Sequence, residues 1–96
     1  MLRHVVVFNL DPAVSPEGAA DLARRLNALP AAVPTLRSMT AGVDAGLADG
    51  NADLAVVADF DDAAGWRAYQ EHPDHQAVAA DIRSVMAGRA ASQFEV

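Results

Sequence analysis

The alternation of hydrophobic and polar positions predicts four β-strands along the chain. Leu2 to Leu10 is rich in Val and Phe, and Ala52 to Phe60 places every second residue on an apolar face. Leu36 to Val43 is a weaker strand, and Arg89 to Val96 alternates as the last one. The segment Asp44 to Asn51, rich in Gly and Asp, predicts a loop between the second and third strands.

Helical spacing of apolar residues predicts three helices between these strands. The first begins at Ser15, a hydroxyl N-cap followed by proline, and ends at Pro30. The second begins at the Asp61-Asp62 pair, either of which can cap it. The third ends at Gly88, and its apolar stripe consists of His75, Val78, Ala79, Ile82, Val85 and Met86.

The resulting order of elements, β-α-β-β-α-α-β, is typical of an α+β, ferredoxin-like fold. Such a fold has a four-stranded antiparallel sheet with its helices on one face. A chain of 96 residues fits one hydrophobic core, so we expect residues 1–96 to form a single domain.

The two faces of the predicted sheet differ in polarity. One face should lie against the helices because it is largely apolar: His4, Val6, Phe8, Leu54, Val56, Phe60, Phe94 and Val96. The opposite face mixes apolar and polar side chains: Val5, Val7, Ala55, Val57 and Ala91 with Arg3, Asn9, Asp59 and Gln93. An exposed apolar stripe on so small a domain usually marks a partner surface. We therefore predict a homodimer joined sheet to sheet, the alternative being a monomer with a half-covered sheet.

Charge and composition exclude several classes of function. The net charge is −6 and the seven arginines are interleaved with acidic residues, which argues against nucleic-acid binding. The longest apolar run, Val5 to Phe8, is too short to span a bilayer, so we expect a cytoplasmic protein with no membrane partner. The chain contains no cysteine, which removes disulfides and thiolate chemistry.

The candidate catalytic side chains lie at one predicted helix break, His72-Pro73-Asp74-His75, with Tyr69 just before it. Pro73 disfavours the helical conformation at His72, so the second helix should end there. Asp74 can then cap the third helix, whose first turn holds His75. The break therefore gathers an imidazole and a phenol beside the apolar stripe of the third helix.

These side chains have both a catalytic and a structural interpretation. His75 could act as a general base on a carbon activated by carbonyls, with the Tyr69 hydroxyl stabilising the oxyanion. Equally, His75 could be a core histidine, and buried tyrosines usually find a hydrogen-bond partner in any case. We interpret His72 and Pro73 as structural residues of the corner. No specific third ligand accompanies the histidines, so neither a metal nor another cofactor is predicted.

A pocket for a small hydrophobic ligand is predicted between the sheet and the helices. Its polar points are His4, Tyr69 and His75. Its apolar walls are predicted to be Val6, Phe8, Leu22, Leu26, Val56, Trp66 and Val78. Three hypotheses remain open: an enzyme, a ligand carrier without turnover, and a dimer with a filled interior and a structural corner.

The chain resembles the stress-responsive A/B barrel (Dabb) domain family, whose members are dimeric α+β barrels. The resemblance covers essentially the whole chain and rests on three segments: Arg3 to Phe8, Tyr69 to His75, and Phe94 to Val96. Most members of this family have no assigned activity. The resemblance therefore implies a stress-associated dimer and leaves catalysis open.

One branch of that family, the plant polyketide cyclases such as olivetolic acid cyclase, is similar in its functional residues. Those enzymes close a linear poly-β-ketone by an intramolecular aldol-type condensation, without metal or organic cofactor. Their tyrosine and two of their histidines match Tyr69, His75 and His4, whereas Leu54 replaces a histidine on the third strand. Some plant members bind magnesium through backbone carbonyls near the end of the first helix, where Leu29 to Thr35 offers no side-chain support. The resemblance thus implies a polyketide-like ligand and a pocket less polar than theirs.

Overall fold

The computed structural model describes residues 1–96, which form one antiparallel sheet with helices on one face. Its strands are β1 (Leu2–Leu10), β2 (Leu36–Val43), β3 (Leu54–Phe60) and β4 (Met86–Glu95). Its helices are α1 (Pro16–Asn27), α2 (Ala63–Glu71) and α3 (Pro73–Val85), with a short 3-10 helix at Leu29–Ala31. The strand order β2-β3-β1-β4, antiparallel throughout, confirms the predicted ferredoxin-like α+β fold.

Side-chain caps define where the first two helices start. The Ser15 Oγ accepts a hydrogen bond from the backbone N–H of Gly18 at 3.0 Å, at the predicted start of α1. The Asp62 Oδ1 accepts from the N–H of Gly65 at 2.8 Å, so Asp62 is the cap of α2. Each cap satisfies an N–H that the helix itself leaves without a partner.

Helix α1 ends at Asn27, before the predicted end at Pro30. Proline has no N–H to donate to the preceding turn, so the α-helical pattern cannot continue through it. The chain tightens into the 3-10 helix, in which the N–H of Ala32 donates to the carbonyl of Leu29 at 2.9 Å. Leu29 is still buried in the core, as its place on the apolar stripe predicts.

The corner between α2 and α3 is capped by His72, so the prediction of Asp74 as the cap is wrong. His72 has an extended backbone, and its Nδ1 accepts a hydrogen bond from the N–H of Asp74 at 3.1 Å. Pro73 is the first residue of α3, where its missing N–H has no consequence. The imidazole Nδ1 acts as an Asn or Asp oxygen does at other N-caps.

The last strand starts earlier than predicted. Met86 and Gly88 lie in β4, so Gly88 does not stop a helix. The pairing of β4 with β1 shifts register between Asn9 and Leu10, which lie opposite Gly88 and Met86, respectively. This irregularity lets the strand follow α3 directly, because hydrogen bonding to β1 takes over where the helix ends.

The side chains of β4 also face the opposite way from the prediction. Phe94 lies opposite Arg3, on the outer face of the sheet, and is 46% exposed. Gln93 lies opposite His4 and is therefore on the helix side. Val96 follows the end of the strand and is exposed. The prediction that Phe94 and Val96 belong to the core is wrong.

The core fills the space between the inner face of the sheet and the three helices. The largest fully buried side chains are Tyr69, Phe60, Leu54, Val33, Val56 and Val78. None of the helices has the length and hydropathy needed to cross a lipid bilayer.

Candidate functional site

A cavity of about 280 Å³ lies between the inner face of the sheet and helix α3. Its apolar lining is Val6, Phe8, Leu26, Val56, Ala79, Ile82 and Met86. Its polar lining is His4, Tyr69, Gln70, His75, Arg83 and Arg89. An apolar cavity with a few convergent polar groups is the usual form of a small-molecule site.

The corner places Tyr69 and His75 side by side on the cavity wall. Tyr69 is in the last turn of α2 and His75 is in the first turn of α3, on either side of the break at His72. The two ring centroids are 4.0 Å apart with an angle of 42° between the planes. The His4 ring, from β1, is 6.4 Å from that of Tyr69. A phenol and two imidazoles from three elements therefore surround one end of the cavity.

His75 has an unused hydrogen-bonding atom. Its Nδ1 is buried and has no hydrogen-bond partner in the protein. A buried polar atom without a partner destabilises the fold by about 1–3 kcal/mol, and native structures contain few of them. Because His75 lines the cavity, a bound molecule is a natural source of the missing partner.

His4 is held by a residue at the far end of the chain. The side-chain amide Nε2 of Gln93 lies 2.8 Å from the Nδ1 of His4. With that amide donating, the proton of the neutral imidazole is on Nε2. His4 then has an N–H to offer, which complements the hydroxyl of Tyr69.

Burial keeps the two imidazoles and the phenol of the cavity in their neutral forms. It lowers the pKa of His4 to about 4, with smaller contributions from the positive charges of Arg89 and His75. Burial likewise lowers the pKa of His75, and it raises that of the Tyr69 hydroxyl. At neutral pH the cavity therefore contains two uncharged imidazoles and a protonated phenol, which is the state a general base and a hydrogen-bond donor require.

Acid should destabilise the fold through His4. The pKa of this imidazole is 6.5 when unperturbed and about 4 in the fold, so between these values only the unfolded state binds the proton. The free energy of unfolding should be highest above pH 6.5 and should fall by about 2–3 kcal/mol towards pH 4. Urea denaturation across this range measures the decline. In the His4→Phe variant the fall in the free energy of unfolding should be smaller by about 2–3 kcal/mol. An equal fall in the variant and the wild type would show that His4 is not its cause.

The structure brings most of the predicted pocket residues together. His4, Tyr69 and His75 line the cavity, as do Val6, Phe8, Leu26 and Val56. Val78 and Leu22 are buried in the core and do not line the cavity. Trp66 is only partly buried; its ring centroid is 6.2 Å from that of His4, and it too is outside the lining.

Several residues that line the cavity were not among the pocket residues predicted from the sequence. Ala79, Ile82 and Met86 continue the apolar stripe on which His75 was placed, so helical spacing could have included them. Gln70 follows Tyr69 at the end of α2, and no pattern marks it. Arg83 and Arg89 also carry no sequence signal, because isolated arginines usually lie on solvated surfaces.

The stretch Leu29 to Thr35 gives a magnesium ion no side-chain ligand that is free of hydrogen bonds. Its Leu29 and Val33 carbonyls already accept backbone hydrogen bonds. The hydroxyl of Thr35, its one side-chain oxygen, donates to the Gly65 carbonyl at 2.8 Å. No cluster of three or more His, Cys, Asp or Glu side chains elsewhere has a metal-binding arrangement.

Solved structures with this fold include enzymes as well as proteins of unknown function. A dimeric ferredoxin-like protein of unknown function from Thermobifida fusca is 45% identical, with a TM-score of 0.90 over 99% of this chain and 90% of that chain. A hydroxynitrile lyase from Passiflora edulis is 17% identical, with a TM-score of 0.85 over 99% and 92%. SnoaB, a cofactor-independent oxygenase from Streptomyces nogalater, is 17% identical, with a TM-score of 0.77 over 99% and 91%. At 17% identity, the likeness to the two enzymes shows only that they share the fold of this chain.

The family comparison covers nearly all of the sequence. No curated protein matches the chain. The family model of the stress-responsive A/B barrel domain, Dabb, matches residues 2–96. The fold, the dimeric ferredoxin-like neighbour and this match agree with one another. The chain therefore belongs to the stress-responsive A/B barrel (Dabb) domain family.

Proposed function

We propose that this protein is a cofactor-independent cyclase that closes a small poly-β-ketone in the cavity, with His75 as general base and Tyr69 as oxyanion donor. The observation that carries the proposal is the contact between these two rings, 4.0 Å apart on the wall of a cavity of about 280 Å³. The free Nδ1 of His75 adds to it. Base and donor thus lie close enough to act on one substrate molecule.

The residues support a sequence of proton and carbon–carbon bond steps. Neutral His75 takes a proton from the carbon beside a ketone, which breaks a C–H bond and leaves an enolate. The enolate carbon bonds to a distant carbonyl carbon of the same molecule, whose π electrons move to its oxygen. Tyr69 donates a hydrogen bond to that oxygen as the charge develops, and the imidazolium returns the proton. Loss of one water then gives the aromatic ring.

The surroundings of the pair favour this chemistry. Val6 and Val56 are almost fully buried, so the cavity floor is apolar. The N–H at Nε2 of His4 provides a second donor for the developing oxyanion. Leu54 is buried in the core and does not line the cavity, so the polar groups at this end are those of His4, Tyr69 and His75. Such a site favours a substrate with few hydroxyl groups.

Diacetylacetone, the simplest linear triketone, tests the proposal. Its aldol closure with loss of one water gives orcinol, which chromatography quantifies. The wild-type protein should form orcinol faster than a buffer that contains the same concentration of free imidazole. Binding of the triketone without orcinol would favour the ligand carrier. Absence of binding would favour the dimer with a structural corner, and either result would contradict the cyclase.

We further propose that two copies of the chain associate through the outer face of the sheet. The apolar side chains of this face are Val5, Val7, Ala55, Val57 and Phe94. Its charges are already paired, because the Arg3 guanidinium donates to both carboxylate oxygens of Asp59 at 2.9 and 3.0 Å. A face whose charges are neutralised in this way can be buried against another copy. The Thermobifida fusca neighbour, which is described as dimeric, supports this association.

A further inference from the structure

We propose that the ligand of this cavity carries a carboxylate, which binds the guanidinium groups of Arg83 and Arg89. The inference rests on the ligand pocket of the proposed function and specifies the charge of its occupant. Both arginines line the cavity, and no aspartate or glutamate does. The charged part of the lining is therefore entirely positive, although the whole chain has a net charge of −6.

The two arginines lack the partners that most arginines of this chain have. The five ion pairs use the N-terminal amine, Arg3, Arg24, Arg25 and Arg37. Arg83 and Arg89 take part in none of them, although acidic residues outnumber basic ones by thirteen to seven. Asp81, near Arg83 on α3, is paired with Arg25 of α1 at 2.8 Å. An acidic protein thus leaves two guanidinium groups free at its cavity.

The placement of the arginines suits a ligand with an anionic end and an apolar body. Arg83 belongs to α3, and Arg89 belongs to β4, opposite Phe8 of β1, so they approach from the helix wall and the sheet wall. Both residues are exposed, whereas Val6 and Phe8 are buried, which places the arginines at the mouth and the apolar groups at the floor. The planar guanidinium group matches a carboxylate with two parallel hydrogen bonds.

The positive charges also act on the imidazoles inside. Arg83 and Arg89 each contribute to the lowered pKa of a cavity histidine, His75 and His4 respectively. A carboxylate bound at the mouth would neutralise these charges. Occupancy by an anion should therefore be accompanied by a measurable change in the titration of both rings, which a neutral ligand would not produce to the same extent.

A matched pair of probes tests the inference: β-naphthoate and β-naphthamide have the same aromatic body and differ in the charge of one group. Isothermal titration calorimetry at low salt gives both dissociation constants for the wild type. β-Naphthoate should bind about 10-fold more tightly, the effect of a charge-assisted hydrogen bond. Arg83→Gln and Arg89→Gln should each weaken β-naphthoate about 5- to 10-fold and leave β-naphthamide unchanged.

Arg67 provides the control variant. It is exposed on α2, takes part in no ion pair and does not line the cavity. Arg67→Gln therefore removes one positive charge, as the other two substitutions do, but leaves the cavity unchanged. Its affinity for β-naphthoate should equal that of the wild type. Equal weakening by all three substitutions would mean that only the overall charge matters, and the carboxylate site would be wrong.

The remaining outcomes separate this inference from the proposed function. Equal affinity of the two probes for the wild type would overturn the carboxylate site, while orcinol formation from the uncharged triketone would still stand. Failure of both probes to bind, together with unshifted His4 and His75 resonances, would overturn it as well. Orcinol formation decides the cyclase independently, because diacetylacetone carries no carboxylate.

Discussion

His75→Ala should lower the rate of orcinol formation from diacetylacetone by about 10²–10⁴-fold, the usual loss when a general base is removed. The alanine removes the imidazole from the cavity wall, so no group remains at that place to take the proton. The drop should appear in kcat, because the base acts in the transition state. Initial rates over a range of triketone concentrations measure it.

A neighbouring histidine provides the control for this substitution. His72→Asn removes the other imidazole of the corner and keeps an N-cap side chain that can accept from the N–H of Asp74. Its rate should stay close to that of the wild type. If His75→Ala retained full activity, or if both variants lost it equally, the assignment of His75 as the base would be wrong.

The pH profile provides a further check on the same residue. Burial lowers the pKa of His75, so the base is neutral at pH 7 and should be lost only as the pH falls below 6.5. The rate should therefore be level around neutrality and decline in acid. A rate that rose as the solution became acidic would indicate that a protonated group is needed instead.

Local rules predict much of this fold. Strand β1 has its predicted bounds, Leu2–Leu10, because the apolar run is followed directly by Asp11-Pro12. Helix α1 starts at its predicted cap because Ser15 and the following proline both favour that start. The helix break at His72 also follows from the chain alone, since Pro73 restricts the residue before it. These features depend on neighbours in sequence, which is why the sequence predicts them.

The pairing of strands that are distant in sequence determines which side chains of β4 face the helices, and local rules do not predict it. The alternation along β4 is visible in the sequence, but its register against β1 determines which set of side chains meets the helices. The set with Arg89, Ala91 and Gln93 faces inward, and the set with Phe94 faces outward. The reversed prediction therefore missed two side chains of the candidate site at once, the Arg89 guanidinium at the cavity and the Gln93 amide on His4.

In the candidate site, too, some features follow from the local sequence and others depend on the folded structure. The spacing of Tyr69 and His75 around the break predicts that the two rings are near each other, and they are in contact. The free Nδ1 of His75 depends on the three-dimensional surroundings, and no sequence pattern indicates it. The open cavity depends on how the side chains of α3 pack against the sheet, which composition does not determine.

Val57→Asp should dissociate the dimer. In a two-fold symmetric contact each substitution occurs twice, so the interface would bury two carboxylates without partners. A buried charge without a partner costs about 3–5 kcal/mol, so the dissociation constant of the dimer should become weaker by about 100-fold or more. Light scattering should find twice the 10.0 kDa of one chain for the wild type and a single chain for the variant.

The design separates loss of association from loss of folding. Val57 is already 39% exposed in one protomer, so an aspartate there meets water in the monomer and should leave its circular dichroism intact. Leu47→Asp introduces the same charge at an apolar residue that is 89% exposed in the loop between β2 and β3, away from the sheet face, and should remain dimeric. A dimeric Val57→Asp protein, or dissociation of the Leu47→Asp protein as well, would show that the outer face of the sheet is not the interface.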